Sequence, residues 1–179
     1  MGTGKTTAAC AIRRYTGAGA ISSDEVRKEL AGIPPTQSRY VRWGTDIYTP
    51  EFSARTHEEM RGRARDGLTK GDSVILEASY RKKAERQAVY DLAREMAVPF
   101  VLIETVCSEE VIKERLDIRM REGTATSDGR WDLYDTQKTE YDPVEEVSPS
   151  DHITLDTSGS QDEVSGFLLR ELYRRQLQD

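Results

Sequence analysis

Histidine and cysteine are scarce in this chain, and each shortage removes a class of chemistry. The 179 residues hold two histidines and two cysteines. His57 and His152 are too few to build a histidine zinc site. Cys10 and Cys107 lie far apart in unrelated segments, so they form no metal-ligand pair and read as free thiols of a reducing compartment. Long apolar runs are missing too. None approaches the ~18 residues of a membrane span, and no signal-peptide pattern occurs. The expected location is cytoplasmic, with no membrane partner. An excess of basic residues is also lacking. The net charge of −6 argues against wrapping extended nucleic acid, which needs a basic face. It leaves room for a small phosphorylated or hydroxylated substrate. Internal repeats and low-complexity tails are absent.

What remains is a soluble composition, 32% charged and 36% hydrophobic, on a length that suits one domain with its own core. Helical and strand patterns alternate along it. A helix over 4–15 stops at Gly17. A short strand follows at 20–23, and Ser22 with Glu25 forms a capping box for a helix over 24–30. Gly32 to Pro35 break the chain, and 36–49 read as an irregular loop near a substrate site. Thr49-Pro50 opens a helix whose inner face carries Phe52, Thr56, Met60, Ala64 and Leu68, closed by Gly71. Val74-Ile75-Leu76 is the run of a buried parallel strand. A helix over 82–96 turns Ala84, Ala88, Leu92 and Met96 inward. A second buried strand occupies 100–103. Ser108 caps a helix through Arg121, followed by a polar connection at 123–129, a short helix over 132–141 and a loop at 143–149. The last strand spans 152–155. Ser160 and Glu163 cap a final helix that buries Val164, Phe167, Leu168 and Leu172. This alternation predicts an α/β fold, a single doubly wound parallel sheet with helices on both faces. Ligands on such sheets bind beyond the carboxyl ends of the strands.

Four groups of residues fall at those ends. Gly4-Lys5-Thr6 is the second half of a phosphate-binding loop, G-x-x-x-x-G-K-[ST], leading into a helix. Glycine lets successive amides point at one phosphate, and the helix adds its positive end. Lys5 then reaches the β- and γ-phosphates, and the Thr6 hydroxyl meets a magnesium ion. The plain alternative is a helix start preceded by glycine. Asp24, one turn before Arg27, has the chemistry to take a proton from an attacking hydroxyl while the arginine holds the acceptor; the alternative is a carboxylate favouring the helix dipole. Glu77 ends the Val74-Ile75-Leu76 run, where a carboxylate either holds magnesium or simply closes a strand. Arg115 and Arg119 stand four apart on one helical face, suited to closing over a triphosphate or to a solvated surface.

In order and spacing these groups resemble the P-loop kinases related to polynucleotide 5′-hydroxyl kinase and the zeta toxins. They are most similar to the predicted-kinase domains often fused to aminoglycoside-phosphotransferase-like proteins. The residues carrying the resemblance are Gly2 to Thr7, Ser23 to Arg27, Gly71 to Ser79, Cys107 to Ile112 with Arg115 and Arg119, and Ser127 to Trp131 with Tyr134 and Gln137. The resemblance covers almost the whole chain, 1–179, as one P-loop kinase domain with a lid around 115–131. It implies ATP-dependent transfer of the γ-phosphate to a hydroxyl of a small molecule or nucleic-acid end, with ATP and Mg2+ as cofactors. Gly2, Thr3, Gly4, Lys5, Thr6 and Thr7 match the nucleotide-binding loop. Asp24 matches the acceptor-activating carboxylate, Arg27 the acceptor-binding arginine, and Arg115 and Arg119 the lid arginines. Thr6 and Glu77 match the metal position, Glu77 standing where many relatives carry aspartate. The strand that feeds such a loop is expected upstream of Met1. Other readings are a toxin-like kinase of a nucleotide-sugar, a nucleotide-binding regulatory ATPase module, and an inactive truncated fragment. An ATPase module has no need of the Asp24–Arg27 pair.

Overall fold

The structure, a computed structural model, describes residues 2–34, 46–122, 134 and 138–176. Residues 36–45 of the loop expected over 36–49, the connection at 123–129 and half of the helix expected over 132–141 lie outside them, as do Trp131 and Gln137. Helix α1 (Lys5–Thr16) ends where glycine allows it: Gly17 sits at φ 74° and its amide donates to the Arg13 carbonyl at 2.9 Å. Strand β1 (Gly19–Ser22) runs directly into α2 (Ser23–Leu30). The predicted capping box there does not form. Ser22 occupies the cap position without a side-chain bond, its backbone held as the last residue of β1 opposite Glu77.

Helix α3 (Pro50–Thr69) follows a 3₁₀ turn over Asp46–Tyr48 and begins as its sequence demands. The Thr49 hydroxyl accepts from the Phe52 amide at 3.2 Å, and Pro50 sits where no amide is needed. Its stripe faces inward, with Thr56 and Met60 wholly buried and Ala64 nearly so. After β2 (Val74–Glu77), helix α4 (Lys83–Glu95) is turned relative to the expected face. Leu92 is buried as expected, but Ala84 is exposed, Ala88 and Met96 are half-buried, and Arg86 and Ala93 take the inner face. Arg86 explains the rotation. Its guanidinium pairs with the buried Glu146 and donates to the carbonyls of Tyr80, Asp142 and Pro143 at 3.0, 2.9 and 3.0 Å.

Strand β3 (Leu102–Val106) begins two residues later than the apolar run, because its pairing extends through Glu104, Thr105 and Val106. Helix α5 spans Glu109–Glu122, a 3₁₀ turn over Pro149–Asp151 leads into β4 (His152–Asp156), and α6 covers Gln161–Gln176. The Ser160–Glu163 capping box forms, with amide-to-side-chain distances of 3.0 and 3.4 Å. On α6, Val164 and Leu168 are buried, but Phe167 is 42% exposed rather than inward.

The strands are parallel and alternate with helices, as expected. Among the described residues they pair two by two, β1 with β2 and β3 with β4, instead of closing into one continuous sheet. Each pair has its own core. Val26, Met60 and Ala78 pack with Ile21 and Leu76 on one side, and Ala8, Ile153, Leu155, Val164 and Leu168 pack together on the other. A cavity of about 610 Å³ separates β2 from β3. That is why every residue of these two strands is half-buried, where the sequence pattern called for full burial. No helix among the described residues is long and apolar enough to cross a membrane.

Arg86 offers a test of this packing. Arg86→Met keeps the side-chain length while leaving four carbonyls, those of Tyr80, Arg81, Asp142 and Pro143, and the Glu146 carboxylate without this donor. Unpaired buried groups of this kind cost about 1–3 kcal/mol. The melting temperature should fall accordingly, and unaltered melting would show that the cluster carries no stability.

Candidate functional site

The phosphate loop is shaped by two left-handed glycines. Gly2 has φ 74° and Gly4 has φ 82°, backbone that side-chain-bearing residues rarely adopt. Space excludes other residues as well. A Cβ on Gly2 would come within 2.9 Å of the Ile112 side chain, and one on Gly4 within 3.2 Å of Thr157. The first bond of α1 runs from the Ala8 amide to the Gly4 carbonyl at 3.0 Å. The amides of Lys5, Thr6 and Thr7 therefore have no partner within the helix, and they face the side where the dipole is positive. An anion is the natural guest at such an end.

Residues 3 to 6 bridge the two strand pairs. Thr3 Oγ1 meets Thr105 Oγ1 at 2.8 Å, next to the carboxyl end of β3. Thr6 Oγ1 donates to Glu77 Oε1 at the carboxyl end of β2. The loop is braced from behind by Thr157, which is 4% exposed and follows β4. Its hydroxyl donates to the Thr3 carbonyl at 3.1 Å, and its own amide donates to Val106 O at 2.8 Å. Arg115 completes the brace. One guanidinium nitrogen donates to the Thr157 hydroxyl at 3.1 Å and to Gly2 O at 3.4 Å, the other to Thr157 O at 2.6 Å.

The hydroxyl of Thr6 and the carboxylate of Glu77 supply two hard oxygens in contact with each other. A magnesium ion is commonly held by one or two carboxylates, with phosphate oxygens and water completing its shell. Among the described residues no group of three or more His, Cys, Asp or Glu offers a richer site. The pair fits a magnesium ion that also binds a nucleotide.

Asp24 and Arg27 occupy the first two turns of α2. The β1–β2 register sets Ser22 opposite Glu77, so the start of α2 lies beside the end of β2. Arg27 is 7% exposed, and its Nη1 donates to Ile47 O at 2.5 Å and Ser53 Oγ at 3.2 Å, with the guanidinium 5.0 Å from the Tyr48 ring centre. Burial pushes its pKa below the ordinary value, opposed by Tyr48 and Asp24. Its Nε has no hydrogen-bond partner among the described residues. Tyr80, just past β2, lies against His57 with ring centres 5.0 Å apart and planes tilted by 33°, and His57 Nδ1 lies 3.3 Å from Glu85 Oε1. Burial raises the Glu85 pKa, but the bonds from His57 and the Lys82 amide outweigh it and hold the carboxyl below its usual range.

The structure thus brings Thr6 to Glu77, with Lys5 and Glu77 lining one cavity, and sets the start of α2 beside the end of β2, while the Arg27 guanidinium is engaged by Ile47, Ser53 and Tyr48. Arg115 lies against the loop backbone. The side chain of Arg119 lies outside the described residues. The model of the AAA domain family matches residues 1–144 of this chain. The chain belongs to that family. No curated protein matches it. This AAA domain shares its fold with solved structures. A sugar kinase from Janibacter sp. HTCC2649, in unliganded form, is 20% identical, with 96% of this chain and 89% of that one covered at a TM-score of 0.64. A gluconokinase from Sinorhizobium meliloti 1021 is 22% identical, covering 97% and 87%, at a TM-score of 0.57.

Sequence reasoning missed Thr157 and Arg86 in this AAA domain. The short polar run Asp156-Thr157-Ser158 at the end of the last strand was the available signal for the first. Thr157→Val keeps the methyl that touches Gly4 and deletes the hydroxyl that joins Arg115 to Thr3. Two hydrogen bonds at about 1 kcal/mol each predict a nucleotide affinity loss of roughly tenfold or more, since loop order would have to be restored on binding. Equal ATP affinity by calorimetry would remove Thr157 from the binding loop's support.

Proposed function

We propose that this AAA domain is an ATP-dependent kinase that transfers the γ-phosphate to a hydroxyl of a small molecule. The observation that carries this reading is the shared edge of Glu77 and the start of α2. A carboxylate at Asp24, near the start of α2, would serve there as the acceptor-side group beside a loop suited to phosphate. The folds shared with a sugar kinase and a gluconokinase agree with it. Phosphoryl transfer asks little covalent chemistry of a protein; it asks for positioning and for stabilisation of spreading negative charge.

Each residue then has a task. The amides of Lys5, Thr6 and Thr7 hold the β-phosphate, and the Lys5 ammonium spans the β- and γ-oxygens. Thr6 and Glu77 would hold Mg2+, which, when bound with ATP, offsets charge on the phosphate oxygens. Asp24 orients the acceptor hydroxyl and takes its proton. Arg27, with Nε still available, fixes the acceptor through a hydroxyl or an anionic group. Arg115 keeps the loop in shape from behind, and Arg119, further along α5, is assigned the lid role.

A polyhydroxylated small molecule, such as a sugar or sugar acid, is the acceptor class this arrangement favours over a nucleic-acid end, given the net charge of −6. Incubation with labelled ATP, Mg2+ and a panel of sugars, sugar acids and 5′-hydroxyl oligonucleotides tests it. Label transferred to a panel sugar supports the reading. ATP hydrolysis with no transfer to any acceptor would favour the regulatory ATPase reading. On the lid, Arg119→Ala should lower turnover more than ATP affinity, whereas Arg121→Ala, two residues round the helix, should leave both unchanged.

A further inference from the structure

Tyr80 combines two irregularities at the carboxyl end of β2. It follows Glu77, the last residue of that strand, in the β2–α4 connection and sits at φ 34°, a left-handed backbone that a bulky aromatic residue rarely adopts. Its hydroxyl is buried and has no hydrogen-bond partner among the described residues. Buried polar groups are almost always bonded, and strained backbone gathers at sites that grip a ligand. Neighbours hold this arrangement in place. The ring lies against His57, and the Glu85 carboxylate meets His57 with one oxygen and the Lys82 amide, at 3.1 Å, with the other.

A second unsatisfied donor belongs to the same neighbourhood. Tyr80 packs against the core of Val26, Met60 and Ala78, and Val26 immediately precedes Arg27 on α2. The Glu85 charge acts on Arg27 and Tyr80 alike. Arg27 is buried, yet the direct partners of its guanidinium among the described residues are neutral: the Ile47 carbonyl, the Ser53 hydroxyl and the Tyr48 ring. Its Nε stays unbonded there.

The chemistry of the missing partner follows from these two groups. An Nε–H of arginine can only donate. Burial lifts the Tyr80 pKa well above the ordinary phenol value, so its hydroxyl keeps a proton to donate. Both therefore ask for oxygen acceptors, and the buried guanidinium asks for an anion in direct contact. A neutral sugar supplies the oxygens without the charge. A carboxylate beside a hydroxyl-bearing carbon supplies both.

We propose that the phosphate acceptor is a polyhydroxy acid, its carboxylate paired with Arg27 and an oxygen of the same end of the molecule bonded by the Tyr80 hydroxyl. Tyr80 is then a specificity-determining residue that selects acids over neutral sugars. The inference rests on the kinase reading and narrows its acceptor class.

Transfer from labelled ATP decides it, with glucose and gluconate, galactose and galactonate, and xylose and xylonate as matched pairs, and glucose 6-phosphate as a second kind of anion. The parent chain and Tyr80→Phe are compared. In the parent, at least one acid should exceed its neutral partner in kcat/KM by about tenfold or more. Tyr80→Phe deletes only an oxygen that is unbonded before the acceptor arrives. Its melting temperature should hold or rise, whereas a structural role for the hydroxyl would lower it. The KM for the favoured acid should rise about tenfold or more, with little change in turnover. Sugars used as well as their acids, or glucose 6-phosphate preferred to every acid, would overturn the acid class and leave the kinase reading standing. An unchanged KM in Tyr80→Phe would remove Tyr80 from the site. ATP binding without transfer to any of the seven compounds would sink the kinase reading and this inference together, a result distinct from the other two.

Discussion

Replacing Lys5 by alanine is expected to cut phosphoryl transfer by ~10²–10³-fold and to weaken ATP binding in the same protein. The expectation follows from position. Lys5 is the first residue of α1 and lines the mouth where the loop crosses from β3 to β2. There a charged donor adds to amides already directed at the phosphates. Removing one preorganised donor to developing charge costs about 2.7–4 kcal/mol of transition-state stabilisation. Part of that interaction exists in the ground state, so affinity falls as well. Lys5→Arg keeps the charge with a bulkier head and should recover binding better than turnover. Calorimetry with ATP and a transfer assay on the same preparations separate the two effects. An alanine variant with parental turnover would remove Lys5 from the chemistry.

Asp24→Asn is expected to do the opposite, sparing ATP affinity while lowering transfer by ~10²–10⁴-fold, the usual worth of a positioned general base. Asparagine keeps the shape and the hydrogen-bonding reach of the side chain but cannot accept a proton. Asp24 also helps to keep Arg27 charged against the effect of burial. Some loss of acceptor affinity should therefore accompany the loss of rate. Arg27→Lys provides the contrast: it retains charge but loses the geometry that joins Ile47 and Ser53, and should raise the acceptor KM with less effect on turnover. Transfer at the parental rate by Asp24→Asn would leave the proton without its acceptor and the assignment without support.

Local rules made much of the fold readable. Gly17 ended α1, Thr49-Pro50 opened α3, and Ser160 with Glu163 capped α6, because each signal acts within four residues. The inner stripe of α3 was equally plain. Where the reading slipped, the cause lay in distant partners. On α4 a period of four placed Ala84 inside, but Arg86 turned the helix to reach Glu146, sixty residues on. Phe167 fitted a helical stripe and stayed exposed. The run Val74-Ile75-Leu76 showed what kind of neighbours β2 is suited to, and no pattern in those residues records whether both neighbours are present. In the site, Gly4-Lys5-Thr6 was legible because phosphate binding is written into consecutive residues. Thr157 was not, since it belongs to the site only after β4 comes to rest beside β3.

The bond from the Thr157 hydroxyl to the Thr3 carbonyl joins residues 154 positions apart. Each strand pair also closes a long loop, Gly19 finding Val74 and Leu102 finding His152. Loop-closure entropy rises with separation, and contacts between distant residues form slowly. The half containing β1 and β2 can gather around Met60, and the half containing β3 and β4 around Leu155, before the two ends of the chain meet. Nucleotide recognition is then acquired at the end of folding, when early and late segments are brought into register. A refolding chain should regain most of its helix signal before it regains ATP binding, and a cut anywhere between the halves should slow the second event more than the first.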